Sequence, residues 1–179
     1  MPRWLDAGRL RGVELDRRGA RAVHHAVMQP ALLRALALVS RLADAPVWLA
    51  LVLLMPLLDA AGGAQLSRLM LILGTVNLAV YFGLKRSTRR QRPFEQCADI
   101  RARVPAPDAF SFPSGHTLHA VAFGVLLSAF YTSLAPLFGV FALVVSISRV
   151  ALGLHYPSDV LIGAAIGAAT AGALLLIAF

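Results

Sequence analysis

TLHAVAFGVLLSAFYTSLAPLFGVFALVVSIS, residues 117–148, contains no Asp, Glu, Lys or Arg. One such charge at the centre of a membrane helix costs roughly 2.5 to 3.5 kcal/mol on insertion, so a run this clean identifies lipid as its solvent. It is too long for a single crossing, which takes about 20 residues. The break falls near Ser133 to Pro136, and the segment reads as two helices joined by a tight turn.

Outward from this stretch lie three more charge-free segments. Pro46 to Leu58 is short, and spans only with help from its flanks or in a thin bilayer. Leu69 to Leu84 is closed by Lys85. Val160 to Phe179 carries Gly163, Gly167 and Gly172 among many alanines, a small-residue stripe that permits close helix packing. Ala31 to Leu42 is apolar but interrupted by Arg34 and Arg41, the pattern of an amphipathic helix lying in the interface. The expected fold is therefore all-α: a polytopic membrane helical bundle of five transmembrane helices plus N-terminal interfacial helices, with six spans as the alternative. One domain is expected over residues 1–179, with an interfacial region at 1–45 and a helical core at 46–179 that contains the long loop 85–116.

Composition points the same way. Hydrophobic residues make up 58% of the chain and charged residues 15%, against about 45–50% apolar in soluble domains. The 17 Lys and Arg outnumber the 9 Asp and Glu, for a net charge of +8. Such a balance suits nucleic acid, anionic headgroups or a phosphorylated substrate; the hydrophobicity argues against nucleic acid. Cys97 is the only cysteine, which rules out an intramolecular disulfide. The arginines of the first 21 residues are not followed directly by an apolar stretch, so targeting is expected to come from the later apolar segments rather than a cleavable signal. With five spans, the N-terminal region, the Lys85 to Pro113 loop and the Arg149 to Asp159 connection share one face, and of the 17 basic residues only Arg68 lies opposite.

Three clusters on that face carry chemistry. Lys85-Arg86-Ser87-Thr88-Arg89-Arg90-Gln91-Arg92-Pro93 ends one span; alone, it reads as a stop-transfer cluster among headgroups. Phe112-Pro113-Ser114-Gly115-His116 opens the next; alone, it is a capped helix whose free N–H groups and positive dipole end attract an anion. The third, Ser148 to Asp159, bridges the last two spans. Pro157 suits a first helical turn, which puts Asp159 within reach of His155. A carboxylate on one imidazole nitrogen fixes the tautomer and leaves the other free to attack; alone, this is a structural His–Asp pair with Arg149 as interfacial anchor. Together, two histidines, one carboxylate and several cations at a membrane boundary fit phosphoryl transfer.

Lys-x6-Arg-Pro, Pro-Ser-Gly-His and Ser-Arg-x5-His-x3-Asp, in that order from Lys85 to Asp159, resemble the signature of the type 2 phosphatidic acid phosphatase superfamily, the lipid phosphate phosphatases that share a site with vanadium haloperoxidases. The resemblance implies that His155 attacks phosphorus to form a phosphohistidine and that Asp159 orients it. His116 is implied as the acid for the leaving oxygen and then the base for water. Lys85, Arg92, Ser114, the Gly115 amide and Arg149 are implied to hold the phosphate, with no metal and no cofactor. Pro93 and Pro113 would shape backbone. The small bacterial members it resembles act on undecaprenyl diphosphate or phosphatidylglycerol phosphate, at the outer face of the inner membrane. Counting basic residues instead puts the catalytic face in the cytoplasm. The implied partners are a lipid phosphate and membrane lipids.

Two other uses of such a bundle compete with this one: a haloperoxidase-like pocket holding vanadate, and a lipid transporter or scaffold without activity. His119, one turn after His116, lacks the further ligands a metal needs. His24 and His25 are assigned to an interfacial helix, and Arg86, Arg89 and Arg90 to headgroups. Trp4, Trp48 and Tyr81 read as interface or packing aromatics, and Tyr156 as either pocket wall or packing.

Overall fold

The computed structural model describes the backbone of residues 3–179 and the side chains from Arg11 onward, so the side chain of Trp4 lies outside the described residues. Helices α1 (Arg3–Ala26), α2 (Pro30–Leu42), α3 (Ala45–Leu58), α4 (Gly63–Thr88), α5 (Pro93–Gln96), α6 (Gly115–Phe130), α7 (Ala135–Ala151) and α8 (Pro157–Ala178) follow one another, with a 3-10 turn at Thr132–Leu134. Proline stands in the first turn of α2, α3, α5, α7 and α8, where its fixed φ favours the helix and its missing N–H costs nothing. α4 ends on Arg89 at φ 47°, a left-handed cap that turns the chain into the loop and leaves Lys85 in the last turn.

The architecture is a membrane helical bundle. α4, α7 and α8 are each long and apolar enough to cross a membrane, and α3 and α6 are shorter apolar helices of 14 and 16 residues. These five are the expected spans. α1 and α2 bend by 117° from one another and pack on α7 and α8, so they form no straight sixth crossing. Leu53, Leu57, Leu137, Leu143, Leu161 and Leu176 all stand exposed on the outer surface, as suits a bundle surrounded by lipid.

α6 sits at the centre, packed chiefly on α8 and then on α7 and α4. A Cβ at Gly163 would come within 2.8 Å of the Ser114 carbonyl, and one at Gly167 within 2.3 Å of the Leu118 carbonyl. Those two glycines therefore set the α6–α8 approach. A Cβ at Gly172, expected in the same stripe, would meet nothing among the described residues within 4 Å. The third buried position is Ala171, four residues after Gly167, because positions i and i+4 share a helix face. An apolar core of Trp48, Leu66, Met70, Phe123 and Leu126 fills the bundle, while the buried cations gather towards the end where α4 and α7 finish and α6 and α8 begin.

Candidate active site

His155 lies in the short link between α7 and α8. Gly153 adopts φ 78°, and a Cβ there would meet the Arg101 carbonyl at 2.6 Å, so glycine is required where the chain reverses. The His155 amide bonds back to the Arg149 carbonyl at 3.2 Å, and the Arg103 amide to the Leu152 carbonyl at 3.1 Å, docking the long loop onto this link. The imidazole is buried. Its Nε2 faces Arg92 Nη1 at 3.4 Å and its Nδ1 faces Asp159 at 3.7 Å. Burial, then the charges of Arg149, Arg92 and Lys85, hold its pKa well below the ordinary 6.5, so it is neutral and nucleophilic at neutral pH.

The Asp159 distance is too long for a hydrogen bond. Its carboxylate is committed elsewhere: Oδ2 accepts the Tyr156 amide at 2.8 Å, closing the first turn of α8, and Oδ1 accepts Arg90 at 2.7 Å. Asp159 thus faces His155 as a charge rather than as a hydrogen-bond acceptor.

The cations expected to hold phosphate converge. Arg92, fully buried, donates from Nη1 to the Leu154 carbonyl at 2.8 Å and from Nη2 to Asp108 at 2.8 Å. Lys85 donates to the same Asp108 oxygen at 2.7 Å and to the Phe110 carbonyl. Arg149, also buried, donates from Nη1 to the Ser40 hydroxyl at 2.5 Å, while its Nε and Nη2 have no partner among the described residues. Ser114 precedes α6 as its N-cap, but its hydroxyl meets Thr117 at 3.0 Å rather than a backbone amide. The first-turn amides of α6, Gly115 among them, therefore stay available to an anion. At Gly115 a Cβ would strike the Tyr81 ring at 2.6 Å. His116, in the same turn, pairs through Nε2 with Asp44 at 2.7 Å.

Several residues differ from expectation. Arg90, expected among lipid headgroups, turns inward to Asp159 and Ser158, both at 2.7 Å, and to Asp16 at 2.5 Å, stacked 4.1 Å over Tyr156. A guanidinium that bridges two carboxylates is held more strongly than one among headgroups. Tyr156 accordingly packs beneath it. Tyr81, expected to pack, donates its hydroxyl to Asp108. His24 belongs to an N-terminal helix as expected, but is buried and donates from Nδ1 to the Ala151 carbonyl at 2.9 Å. His119 donates to the Gly115 carbonyl at 2.9 Å.

Asp16, Asp44 and Asp108 are the residues that sequence reasoning missed. Each lies outside the three motifs and each holds a motif residue: Asp16 the Arg90–Ser158 pair, Asp44 His116, and Asp108 both Lys85 and Arg92. The signal that predicts them is electrostatic: so many buried cations demand counter-charges. The Asp108 carboxyl feels burial that would raise its pKa, yet the hydrogen bonds from Lys85 and Tyr81 and the charge of Arg92 outweigh it and lower it to about 2.

Between α3, α4 and α6 lies an apolar cavity of about 370 Å³, lined by Trp48, Val52, Met70, Leu78 and Phe123 and reaching His116.

The sequence matches the family model described as PAP2 superfamily over residues 65–179, a span that takes in all eight expected site residues and excludes α1 to α3. A decaprenylphosphoryl-5-phosphoribose phosphatase of Mycobacterium tuberculosis is 42% identical over 92 residues, 51% of this chain and 49% of the relative. The chain thus spans about half the length of that relative. The crystal structure of a transmembrane PAP2-type phosphatidylglycerolphosphate phosphatase from Bacillus subtilis superposes at TM-score 0.75 with 26% identity, covering 92% of this chain and 84% of that one. LpxE of Aquifex aeolicus shares the fold at TM-score 0.79 with 21% identity, covering 87% of this chain and 92% of that one.

Proposed function

The chain belongs to the PAP2 superfamily, and on that footing we propose that it hydrolyses a phosphate or diphosphate carried by a membrane lipid, through a phosphohistidine on His155. The observation that carries the reading is the Arg149 guanidinium, buried with two nitrogens unpartnered in the charge cluster around His155 and Arg92. A buried charged donor without a partner is costly, and the oxygens of a phosphate satisfy it.

In this mechanism Nε2 of His155 attacks phosphorus as the bond to the lipid oxygen breaks. His116 gives that oxygen its proton. Water then loses a proton to His116, attacks phosphorus and breaks the N–P bond, returning His155. Lys85, Arg92, Arg149, the Ser114 hydroxyl and the Gly115 amide hold the equatorial oxygens, and the Asp159 charge stabilises the imidazole as it turns positive. Asp108 must release Lys85 and Arg92, or share them, as phosphate enters. The reading has no metal step.

The apolar cavity beside His116 suits the lipid tail. The name of the Mycobacterium tuberculosis relative puts polyprenyl-linked phosphates first among candidates; undecaprenyl diphosphate and phosphatidylglycerol phosphate come next. The test is phosphate release by purified protein from a panel of these lipids. Release from none of them, with the protein folded, overturns the reading.

The catalytic face is assigned to the outer side of the inner membrane. The basic excess there is a poor topology signal, since Lys85, Arg90, Arg92 and Arg149 all hold carboxylates or lie buried in the site. Cys97 is 2% exposed and unsuited to labelling. Ser87→Cys, at an exposed position, should react with an impermeant thiol reagent in intact cells; reaction only after lysis reverses the assignment.

A further inference from the structure

His116 is paired with a carboxylate from outside all three motifs. Asp44 ends the link after α2 and is the N-cap residue of α3, and its Oδ1 stands 2.7 Å from His116 Nε2. Its side chain makes no bond to the first turn of α3, so helix capping does not account for its orientation. A carboxylate only accepts, so Nε2 carries the hydrogen in this pair. That fixes the tautomer and leaves Nδ1 as the nitrogen free to gain and lose a proton. The buried Arg149 cation neighbours both His116 and His155, and a second positive charge on His116 beside it calls for a nearby anion.

We propose that Asp44 is the positioning residue of the general acid, holding His116 by Nε2 so that Nδ1–H delivers the proton to the departing lipid oxygen. The inference rests on the phosphatase reading above. In the first half-reaction the N–P bond to His155 forms, the P–O bond to the lipid breaks, and the Nδ1 proton passes to the lipid oxygen. In the second, water gives its proton to Nδ1 as its oxygen bonds to phosphorus and the N–P bond breaks. Asp44 stays ionised throughout and supports the imidazolium present before the first half-reaction and restored in the second, as the carboxylate of a hydrolase triad does for its histidine; between the two, His116 is neutral. The molecule then holds two His–Asp pairs with opposite tasks. Asp159 faces the nucleophile and Asp44 the acid, and Asp44 lies before residue 65, where the family match begins.

The test exploits the leaving group. An alkyl or prenyl oxygen needs a proton to depart, whereas p-nitrophenolate does not. The quantity to compare is kcat/KM, which reports steps through departure of the leaving group and so excludes the water step. Asp44→Asn keeps an N-cap residue for α3. It should lower kcat/KM for a prenyl or alkyl lipid phosphate by about 10- to 100-fold, while p-nitrophenyl phosphate changes by less than about threefold. His116→Ala should show the same selectivity more strongly, and Asp44→Glu should recover part of the loss. Equal losses with both substrates mean that Asp44 only supports the fold, and no loss with either means that His116 works alone; both results overturn the proposal. If the wild-type protein releases phosphate from neither substrate, the phosphatase reading falls and takes this inference with it. An active wild type with an unselective Asp44→Asn defeats the role of Asp44 alone.

Discussion

Residues 85–159 and residues 16–44 meet at one end of the bundle, where two carboxylates of the second steady groups of the first. The first region supplies Lys85, Arg90, Arg92 and Arg149 together with both histidines of the site; the second supplies Asp16 and Asp44, which hold Arg90 and His116. The difference follows from electrostatics in a low-dielectric site. Cations arranged to grip a phosphate repel one another when buried, and neutralising them fully within the motifs would abolish the grip. Counter-charges set outside the motifs steady each group from behind. The motif region is therefore expected to govern chemistry, and the N-terminal region to govern how well that chemistry is held.

The sharpest test of this division is His155→Ala. Removing the proposed nucleophile should lower phosphate release by roughly 10⁴-fold or more, with the protein still extracted folded from the membrane. Retained release would move the chemistry away from the motif region. Arg149→Met comes next. Its expected cost is about 100-fold in kcat/KM, as for loss of one transition-state donor, measured with the same lipid. Thermal stability should hold or rise, because a buried guanidinium with two unpartnered nitrogens is replaced by an apolar chain of similar length. A large fall in stability would mean that Arg149 is structural cement.

Asp108→Asn probes the one counter-charge that comes from the long loop of the motif region itself. Asp108 holds Lys85 and Arg92, the cations proposed to take the phosphate, so its neutralisation should tighten competitive inhibition by inorganic phosphate about tenfold. Weaker inhibition would make Asp108 a positioner of the cations instead. Because its carboxyl is lowered to about 2 from 3.8, its contribution to stability is complete above about pH 4. That contribution fades as pH falls from there through about 2. Acidification to pH 5 should therefore not mimic Asp108→Asn in the phosphate-inhibition assay.

The apolar helices of the bundle were legible because exclusion of charge is a property of single segments, readable one residue at a time; three of them are long enough to cross a membrane, while α3 and α6 are shorter. The convergence of Lys85, Arg92, Arg149 and His155 was legible because each stands at a span end and the count of spans puts those ends on one face. Asp16, Asp44 and Asp108 were not. They lie 142, 72 and 23 residues from Ser158, His116 and Lys85 respectively, and nothing local distinguishes them from any other polar residue. Arg90 misled for a related reason. Beside Arg86 and Arg89 it looks like one more headgroup ligand, and only the approach of α8 and α1 in the fold turns it inward. Gly172 misled because a stripe of glycines suggests contact, whereas the four-residue repeat of the α8 face passes through Ala171.

Asp16→Asn carries the smallest expected effect and the finest test of the N-terminal region. Asp16 accepts the Ser158 amide at 3.0 Å, the Ser158 hydroxyl at 2.5 Å and Arg90 at 2.5 Å, so from α1 it both closes the first turn of α8 and steadies the cation that holds Asp159. Asparagine keeps one acceptor oxygen and loses the charge. Arg90 retains Asp159, and Asp159 retains the Tyr156 amide. The expected cost is about 1 kcal/mol, seen as a Tm lower by about 2–4 °C in detergent. kcat/KM should change by less than about threefold, because charge-assisted bonds still fix the carboxylate facing His155. A loss of activity as large as that of Arg149→Met, at a similar Tm shift, would break the division between the two regions and make α1 part of the catalytic machinery.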